Sequence, residues 1–384
     1  MIGAVCLFLY GMRMMSNGLQ KLTAKGVRKF LPLLTSDKVV NNAAGGFGLT
    51  AAVQSSNAAT LMVVNFVNNG LMNIHQAVSS ILGANVATPL TVLIIAFLQY
   101  TCHIDAYAYI IVAAGFLIKG KERFREIGKM LIGIGLIFIS LYFSQDSAAS
   151  LLANGPIARG FAAFGSHGFI SVLGFMTAGL IFAALFQSSS VTIVLAMLFL
   201  TSGYISFDNA VGVVIGANIG TTLLANLSVS DASVEARQAA RVHLSFNFSV
   251  AVIALILFRP FVSLSEAISS QAYGICAAHL IFNLAGTMCF IWFVDKIAKT
   301  FFKPKQIEPV DDLDKVRLKY ITGQSVGASA LSISLAYREA VNFGNICYEG
   351  FSYIPMALNE KNTDHFEHAR KKLVEYEEIT DKME

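Results

Sequence analysis

Charge is what this chain has little of: Asp, Glu, Lys and Arg make up 14% of its 384 residues, while 55% are hydrophobic and the mean hydropathy is +0.61. Roughly a quarter of a soluble domain is charged, so a soluble globular fold is excluded and a polytopic membrane protein is implied. Between Val39 and Ile118 there is no Lys or Arg and one acid, Asp105. That leaves room for several spans of about 20 residues each. The cysteines, Cys6, Cys102, Cys276, Cys289 and Cys347, stand apart with no CxxC or His-rich spacing to hold a metal. They read as buried small hydrophobes. No HExxH, GxSxG or P-loop occurs, so an enzyme is not expected, and neither is a nucleic acid partner. Ile2 to Leu19 lacks a basic leader and a cleavage site, and reads as a first membrane helix rather than a signal peptide.

What is present is a duplication. Gln54-Ser55-Ser56 recurs as Gln187-Ser188-Ser189, and Gly83-Ala84-Asn85 as Gly216-Ala217-Asn218, both 133 positions further on. Gly70 with Gly203, Ala77-Val78 with Ala210-Val211, and Thr88 with Thr221 keep the same register. A polar motif inside apolar sequence, repeated at one offset, points to one site assembled from two halves of a transporter.

Simple apolar runs fall near 2–20, 75–99, 106–118, 127–143, 207–227, 239–258 and 270–295. The stretches 41–70 and 168–202 differ, because each is interrupted near its middle by Gln-Ser-Ser. Such a break is tolerated where the backbone is buried in protein or lines a wet cavity, so both read as re-entrant helical hairpins or broken helices. Basic residues gather at Lys21, Lys25, Arg28, Lys29 and Lys38, at Lys119 to Lys129, at Arg237 and Arg241, and from Lys296 onward. The positive-inside rule makes these sites cytoplasmic and leaves Thr101–Ala106 and Ser144–Ser166 outside, with Arg159 and Arg259 as two exceptions. The first hairpin then enters from the cytoplasmic side and the second from the other, which makes the two repeats inverted.

The fold expected is therefore an all-α polytopic membrane protein with two inverted-topology repeats, each with a re-entrant hairpin, and a short cytoplasmic helical tail. Its parts are a first helix and loop over 1–38, repeat 1 over 39–143, repeat 2 over 144–300, a linker over 301–312 around Pro304 and Pro309, and the tail over 313–384. In the tail Ile333, Ala336, Ala340, Phe343, Cys347, Gly350 and Ile354 recur at helical spacing, as do Phe366, Ala369, Leu373, Tyr376, Thr380 and Met383. Two helices make a thin core, so further helices or a second subunit are expected to support them.

Both hairpins offer Gln, Ser, Thr and Asn and almost no charge. Neutral oxygens suit a hard cation such as sodium; hydroxyls and the free N–H groups of a half-helix suit an oxyanion. Burying either ion alone costs several kcal/mol, so a neutral site favours a cation and an anion moving together. The second motif extends through Ser190 and Thr192, where the first has Asn57 and Ala59, with Thr60 next. The bland alternative is that these hydroxyls only let helices pack or bond their own carbonyls. Asn85 and Asn218, deep in apolar spans, contact ion or substrate or else bond the opposing repeat, and Thr221-Thr222 has Thr88-Pro89 as its counterpart. His243 with Asn247, and His279 with Asn283, share helix faces as packed, hydrogen-bonded pairs or as gating groups. Asp208 reads as a helix cap.

With these motifs, the two HLxFN segments and the opening Leu9-Tyr-Gly-Met-Arg-Met-Met-Ser-Asn-Gly-Leu19, the chain resembles the bacterial branch of the type II sodium/phosphate cotransporter family over about residues 3–300. The family's usual first repeat would have Ser at Asn57, Gly at Ala87 and Thr at Pro89. The resemblance implies sodium-coupled import of inorganic phosphate by alternating access across the bacterial inner membrane, with no cofactor besides the coupling ion. By position it implicates Gln54, Ser55, Ser56, Gln187, Ser188, Ser189, Ser190 and Thr192, the last five with sodium as well. Asn57, Thr60, Asn85, Asn218 and Thr221 complete the expected substrate and ion site, Asn85 and Asn218 as further sodium candidates. The tail resembles the start of a PhoU-like domain, and a homo-oligomer or a regulator is expected to engage residues 313–384. The competing readings are sodium-coupled transport of another oxyanion or an organic anion, and a membrane-anchored phosphate sensor acting through the tail.

Overall fold

The computed structural model describes residues 2–23, 29–68, 71–153, 155, 163–228, 234–269, 271–301, 329–359 and 363–383. Lys25, Arg28, Gly70, Arg159 and nearly all of the linker lie outside the described residues. The chain divides into two compact units, Met1–Phe302 and Lys303–Glu384.

Every regular element among the described residues is helical. The larger unit runs α1 (Ile2–Thr23), α2 (Val39–Val53), α3 (Ser56–Asn68), α4 (Ile74–Ala96), α5 (Ala108–Lys119), α6 (Arg125–Ala153), α7 (Phe169–Phe186), α8 (Ser189–Thr201), α9 (Phe207–Ser228), α10 (Val234–Ile256), α11 (Phe258–Glu266), α12 (Ala272–Phe290) and α13 (Val294–Phe301). Six helical stretches among the described residues are long and apolar enough to cross a membrane, and α3 and α8 are shorter apolar helices. Helices are what a bilayer demands, because a chain without water must satisfy its own N–H and C=O groups. The apolar surface accordingly faces outward as well as inward. Cys6, Cys102 and Cys289 are exposed and only Cys276 is buried, which corrects the expectation of buried thiols. Lipid tails are as apolar as a core, so an apolar helix gains little by turning such residues inward.

The succession α2–α3–α4 is repeated by α7–α8–α9 at the sequence offset, and the packing repeats with it: α2 lies on α4 as α7 lies on α9. Glycine makes both contacts. A Cβ at Gly46 would collide with the backbone of Ser80, and one at Gly83 with that of Ala43. The equivalent positions do the same, Gly179 against Val213 and Gly216 against Met176. The glycine of each Gly-Ala-Asn segment is thus the point where two helix backbones meet, a small-residue contact typical of membranes. Each half-helix also reaches the other repeat, α8 packing on α4 and α3 on α9.

Around this pair, α1 packs on α6 and α6 on α5, while α10 and α12 cover α3, α4 and α9. Thr287 on α12 donates to the Leu82 carbonyl at 3.0 Å, beside the Gly83 contact. Asn73 and Gln76 form a capping box that starts α4, and Gln76 also donates to the Thr35 carbonyl at 2.9 Å. Helix α4 continues through Pro89 and ends in a π turn, Phe97–Thr101. Asp208 does not cap α9: the Asn209 N–H bonds the Ser206 hydroxyl at 3.3 Å, and Asp208 instead pairs with Arg259 at 3.0 Å. Ser206, two positions earlier, is an equally good cap, which frees the carboxylate.

The smaller unit is a pair of helices, α14 (Ser329–Asn359) and α15 (Thr363–Met383), packed together. Ala369, Tyr376 and Ile379 form its buried apolar face, and the Tyr376 hydroxyl donates to Glu349 at 2.8 Å. Ala336 and Ala340 of the predicted stripe are exposed.

Candidate functional site

Each Gln-Ser-Ser motif breaks a helix by the same device. Gln54 and Gln187 both adopt φ 55 and ψ 30, left-handed values that a residue with a side chain rarely takes. Three non-glycine residues among those described have positive φ, and these are two of them. Strain of this kind, about 1–3 kcal/mol per residue, persists where the surroundings enforce it and clusters at functional sites. The following serine then caps the second half-helix: Ser55 Oγ accepts from the Ala58 N–H at 3.3 Å, and Ser188 Oγ from the Val191 N–H at 3.3 Å. The chain ends one helix and begins another within two residues, twice.

The two breaks face one cavity of about 50 Å³. Its lining comes from both repeats: Thr50, Gln54, Ser55, Ser56, Asn57, Thr88 and Thr91 from the first, and Gln187, Ser188, Ser189, Ser190 and Thr221 from the second. All twelve are neutral and polar. A cavity of roughly 10–15 Å³ holds one water, so the space suits a small inorganic ion rather than a large organic one. The N-terminal ends of α3 and α8 both open here, and a helix N-terminus carries unpaired N–H groups and a partial positive charge. Thr50 Oγ1 and Asn57 Oδ1 are buried at the cavity without a hydrogen-bond partner in the protein. The arrangement can therefore bind an oxyanion with backbone N–H groups and hydroxyls, and a hard cation with amide and hydroxyl oxygens.

The halves are unequal. Gln54 is held at both ends of its amide, donating to the Ala51 carbonyl at 2.6 Å and accepting from Thr91 Oγ1 at 2.7 Å. Gln187 is exposed to the cavity side of the protein, and Leu224 stands where Thr91 does in the other copy. The threonine that holds Gln54 thus has a leucine as its counterpart in the sequence.

Four of the expected site residues do not line the cavity. Thr60 is buried with its hydroxyl unpartnered, and the Thr192 hydroxyl donates to the Ser188 carbonyl at 3.2 Å, bracing the break. Asn85 and Asn218 turn instead to the two histidines. His243 Nε2 lies 2.6 Å from Asn85 Oδ1, and His279 Nε2 lies 3.3 Å from Asn218 Oδ1. Thr221 lines the cavity while its hydroxyl bonds the Ala217 carbonyl at 3.2 Å. Sequence reasoning missed Thr50, Thr88 and Thr91 as lining residues. Thr88 was detectable as the counterpart of Thr221, and Thr50 as the residue one turn before Gln54; Thr91 carried no signal. Among the described residues no group of three or more His, Cys, Asp or Glu is placed to hold a metal.

Comparison with known proteins agrees with the duplication. The model of the Na+/Pi-cotransporter family matches twice, over residues 7–146 and 154–290. The chain is 28% identical over 348 residues to "Putative inorganic phosphate export protein YjbB" of Salmonella typhimurium, covering 90% of this chain and 62% of the relative. The protein of the same name from Escherichia coli K12 is 29% identical over 352 residues, with the same coverage of 90% and 62%. "Uncharacterized protein YqeW" of Bacillus subtilis is 29% identical over 298 residues, 75% of this chain and 91% of the relative. The chain thus spans 62% of the length of the phosphate-export relatives it matches. No solved structure matches.

Proposed function

Because the chain belongs to the Na+/Pi-cotransporter family, a family of membrane transporters and not of enzymes, we propose that it carries inorganic phosphate together with sodium across the bacterial inner membrane by alternating access. The observation that carries this reading is the cavity where two half-helix N-termini from the two repeats converge among neutral hydroxyls and amides. Phosphate takes the N–H groups at the starts of α3 and α8 with the hydroxyls of Ser55, Ser56, Ser188 and Ser189. Sodium takes amide and hydroxyl oxygens of Gln187, Ser188, Ser189 and Ser190. Neither ion has a fixed countercharge in the lining, and stripping one of water alone costs several kcal/mol. Two opposite ions in one cavity offset each other, which couples their movement.

In this reading the two repeats are inverted and the broken helices are re-entrant, one from each side. Alternating access then follows from rocking one repeat against the other about the shared cavity. Sodium entering down its gradient draws phosphate inward. Outward transport is the second reading, favoured by the word export in the names of two relatives. The tail, PhoU-like in this view, lies in the cytoplasm and engages a second copy or a regulator.

Radiolabelled phosphate flux in proteoliposomes tests the proposal. Uptake should require sodium on the side of entry and vanish when choline replaces it; flux indifferent to sodium would sink the coupling. Imposing the gradient in each direction separates import from export. Competition by arsenate, but not by sulfate or dicarboxylates, is expected for a phosphate site.

A further inference from the structure

A second cavity, of about 10 Å³, lies further along α8. Ser190 faces the central cavity; one turn on, Val194, then Met197 and Leu198, line the second, together with Gln99 and Tyr100 from the π turn and Gln145 from α6. It has room for one water-sized particle. A hydrated ion does not fit, so an ion lodged there must exchange its water shell for protein oxygens.

The polar groups at this cavity are oxygen-rich and incompletely paired. Gln99 is 8% exposed and its Oε1 has no hydrogen-bond partner. An unpaired amide oxygen inside a membrane protein is expensive. The Tyr100 and Thr201 hydroxyls lie 3.3 Å apart, and with the Thr201 proton on the Met197 carbonyl at 3.0 Å the Tyr100 oxygen is left to accept. No Lys or Arg lines the cavity.

The field of α8 points the same way. This half-helix of 13 residues is about 20 Å long. Its positive N-terminal end opens on the central cavity, where an anion is favoured; its negative C-terminal end lies by Gln99, Tyr100 and Thr201, where a cation is favoured. The Leu198, Phe199 and Leu200 carbonyls accept from the Ser202, Tyr204 and Gly203 N–H groups, so this end supplies its dipole and leaves coordination to side chains. We propose that the cavity between Gln99, Tyr100 and Gln145 is a site for one desolvated sodium ion, distinct from the central cavity. The assignment of sodium rests on the proposed coupling, and the experiment separates the two.

Two readouts on the purified full chain decide it, with Gln99→Leu as the first variant. In proteoliposomes the sodium concentration for half-maximal phosphate uptake should rise about fivefold or more, as loss of one buried polar ligand implies. Half-saturation by phosphate at saturating sodium should stay within about twofold. In detergent, the gain in melting temperature in sodium chloride over choline chloride at equal ionic strength should shrink in the variant. Unchanged sodium activation with an unchanged sodium-specific melting gain would show a site for water only and overturn the proposal. If wild-type flux proves independent of sodium, the coupling fails and the melting gain alone decides: its loss in Gln99→Leu sustains the site, and equal gain or none overturns it. Should Gln99→Leu not fold, Gln145→Leu, at a half-buried position, is read by the same criteria.

Discussion

The imidazole Nε2 of His243 lies 2.6 Å from the amide oxygen of Asn85, joining α10 to the helix that follows the first broken pair. The same pairing recurs between His279 and Asn218, one repeat later and from α12. Both histidines and both asparagines are buried. The two Gly-Ala-Asn segments therefore serve two neighbours at once: the glycine admits the backbone of the preceding half-helix, and the asparagine ties to a surrounding helix.

This pairing gives the first prediction. Buried side-chain hydrogen bonds in membrane proteins average about 0.6 kcal/mol and reach about 1.7, and an abandoned partner adds its own cost. Asn85→Leu should lower the melting temperature of the purified protein, and His243→Leu should do likewise. The double variant should lose less than the sum of the two, with a coupling of about 1 kcal/mol in a double-mutant cycle. Strict additivity would mean that the contact contributes nothing to stability.

A second prediction separates the two glutamines. Gln54 is fixed by Ala51 and Thr91, so Gln54→Ala removes two hydrogen bonds as well as a cavity group. It should lower both melting temperature and transport, and Thr91→Val should reproduce part of the stability loss, about 1 kcal/mol. Gln187 lacks this anchorage, so Gln187→Ala should leave the melting temperature nearly unchanged while phosphate uptake falls about tenfold or more, the scale of one lost charge-assisted hydrogen bond. Equal stability losses in the two variants would contradict the asymmetry.

The helix breaks were legible because a polar triplet inside an apolar run has few places to go. The stretches 41–70 and 168–202 match the broken pairs to within two residues, and the breaks fall at Gln54 and Gln187 as read. The convergence of both motifs on one cavity followed from their duplication. What stayed hidden was pairing across long separations. Asn85 and His243 are 158 residues apart, and either could equally have faced an ion. Thr91 looked no different from the many hydroxyls that bond their own helix carbonyls, as Thr88 does to Ala84 at 3.3 Å. The role of Gly83 and Gly216 depends on how closely two backbones approach, which spacing in sequence does not express. The cysteines misled because apolar context was equated with burial, and a helix facing lipid breaks that link.

The third prediction tests those glycines. Gly83→Ala and Gly216→Ala place a methyl where the backbones of Ala43 and Met176 already lie. The helices must separate, at a cost of about 1–3 kcal/mol or more, and the cavity that they frame should loosen with them. Both variants should express poorly or melt earlier, and transport should fall. Gly344→Ala is the control: nothing lies within 4 Å of a Cβ there, and alanine is the better helix former by about 1 kcal/mol. It should be neutral or stabilising.

The last prediction divides the two roles of Ser188, cap and ligand. Ser188→Ala removes the acceptor for the Val191 N–H and should cost about 1 kcal/mol of stability, as well as a hydroxyl from the cavity. Aspartate caps as well as serine does and suits a helix N-terminus electrostatically. Ser188→Asp should therefore keep a melting temperature near that of the wild type while placing a fixed negative charge where phosphate binds. Like charges in a small cavity repel, so phosphate transport should be abolished in Ser188→Asp even though the fold is intact. Sodium, by contrast, gains a partner, and the stabilisation of Ser188→Asp by sodium chloride over choline chloride should match or exceed that of the wild type. Phosphate uptake by Ser188→Asp at the wild-type rate would place the anion away from the start of α8, and the two half-helix N-termini would then need another purpose.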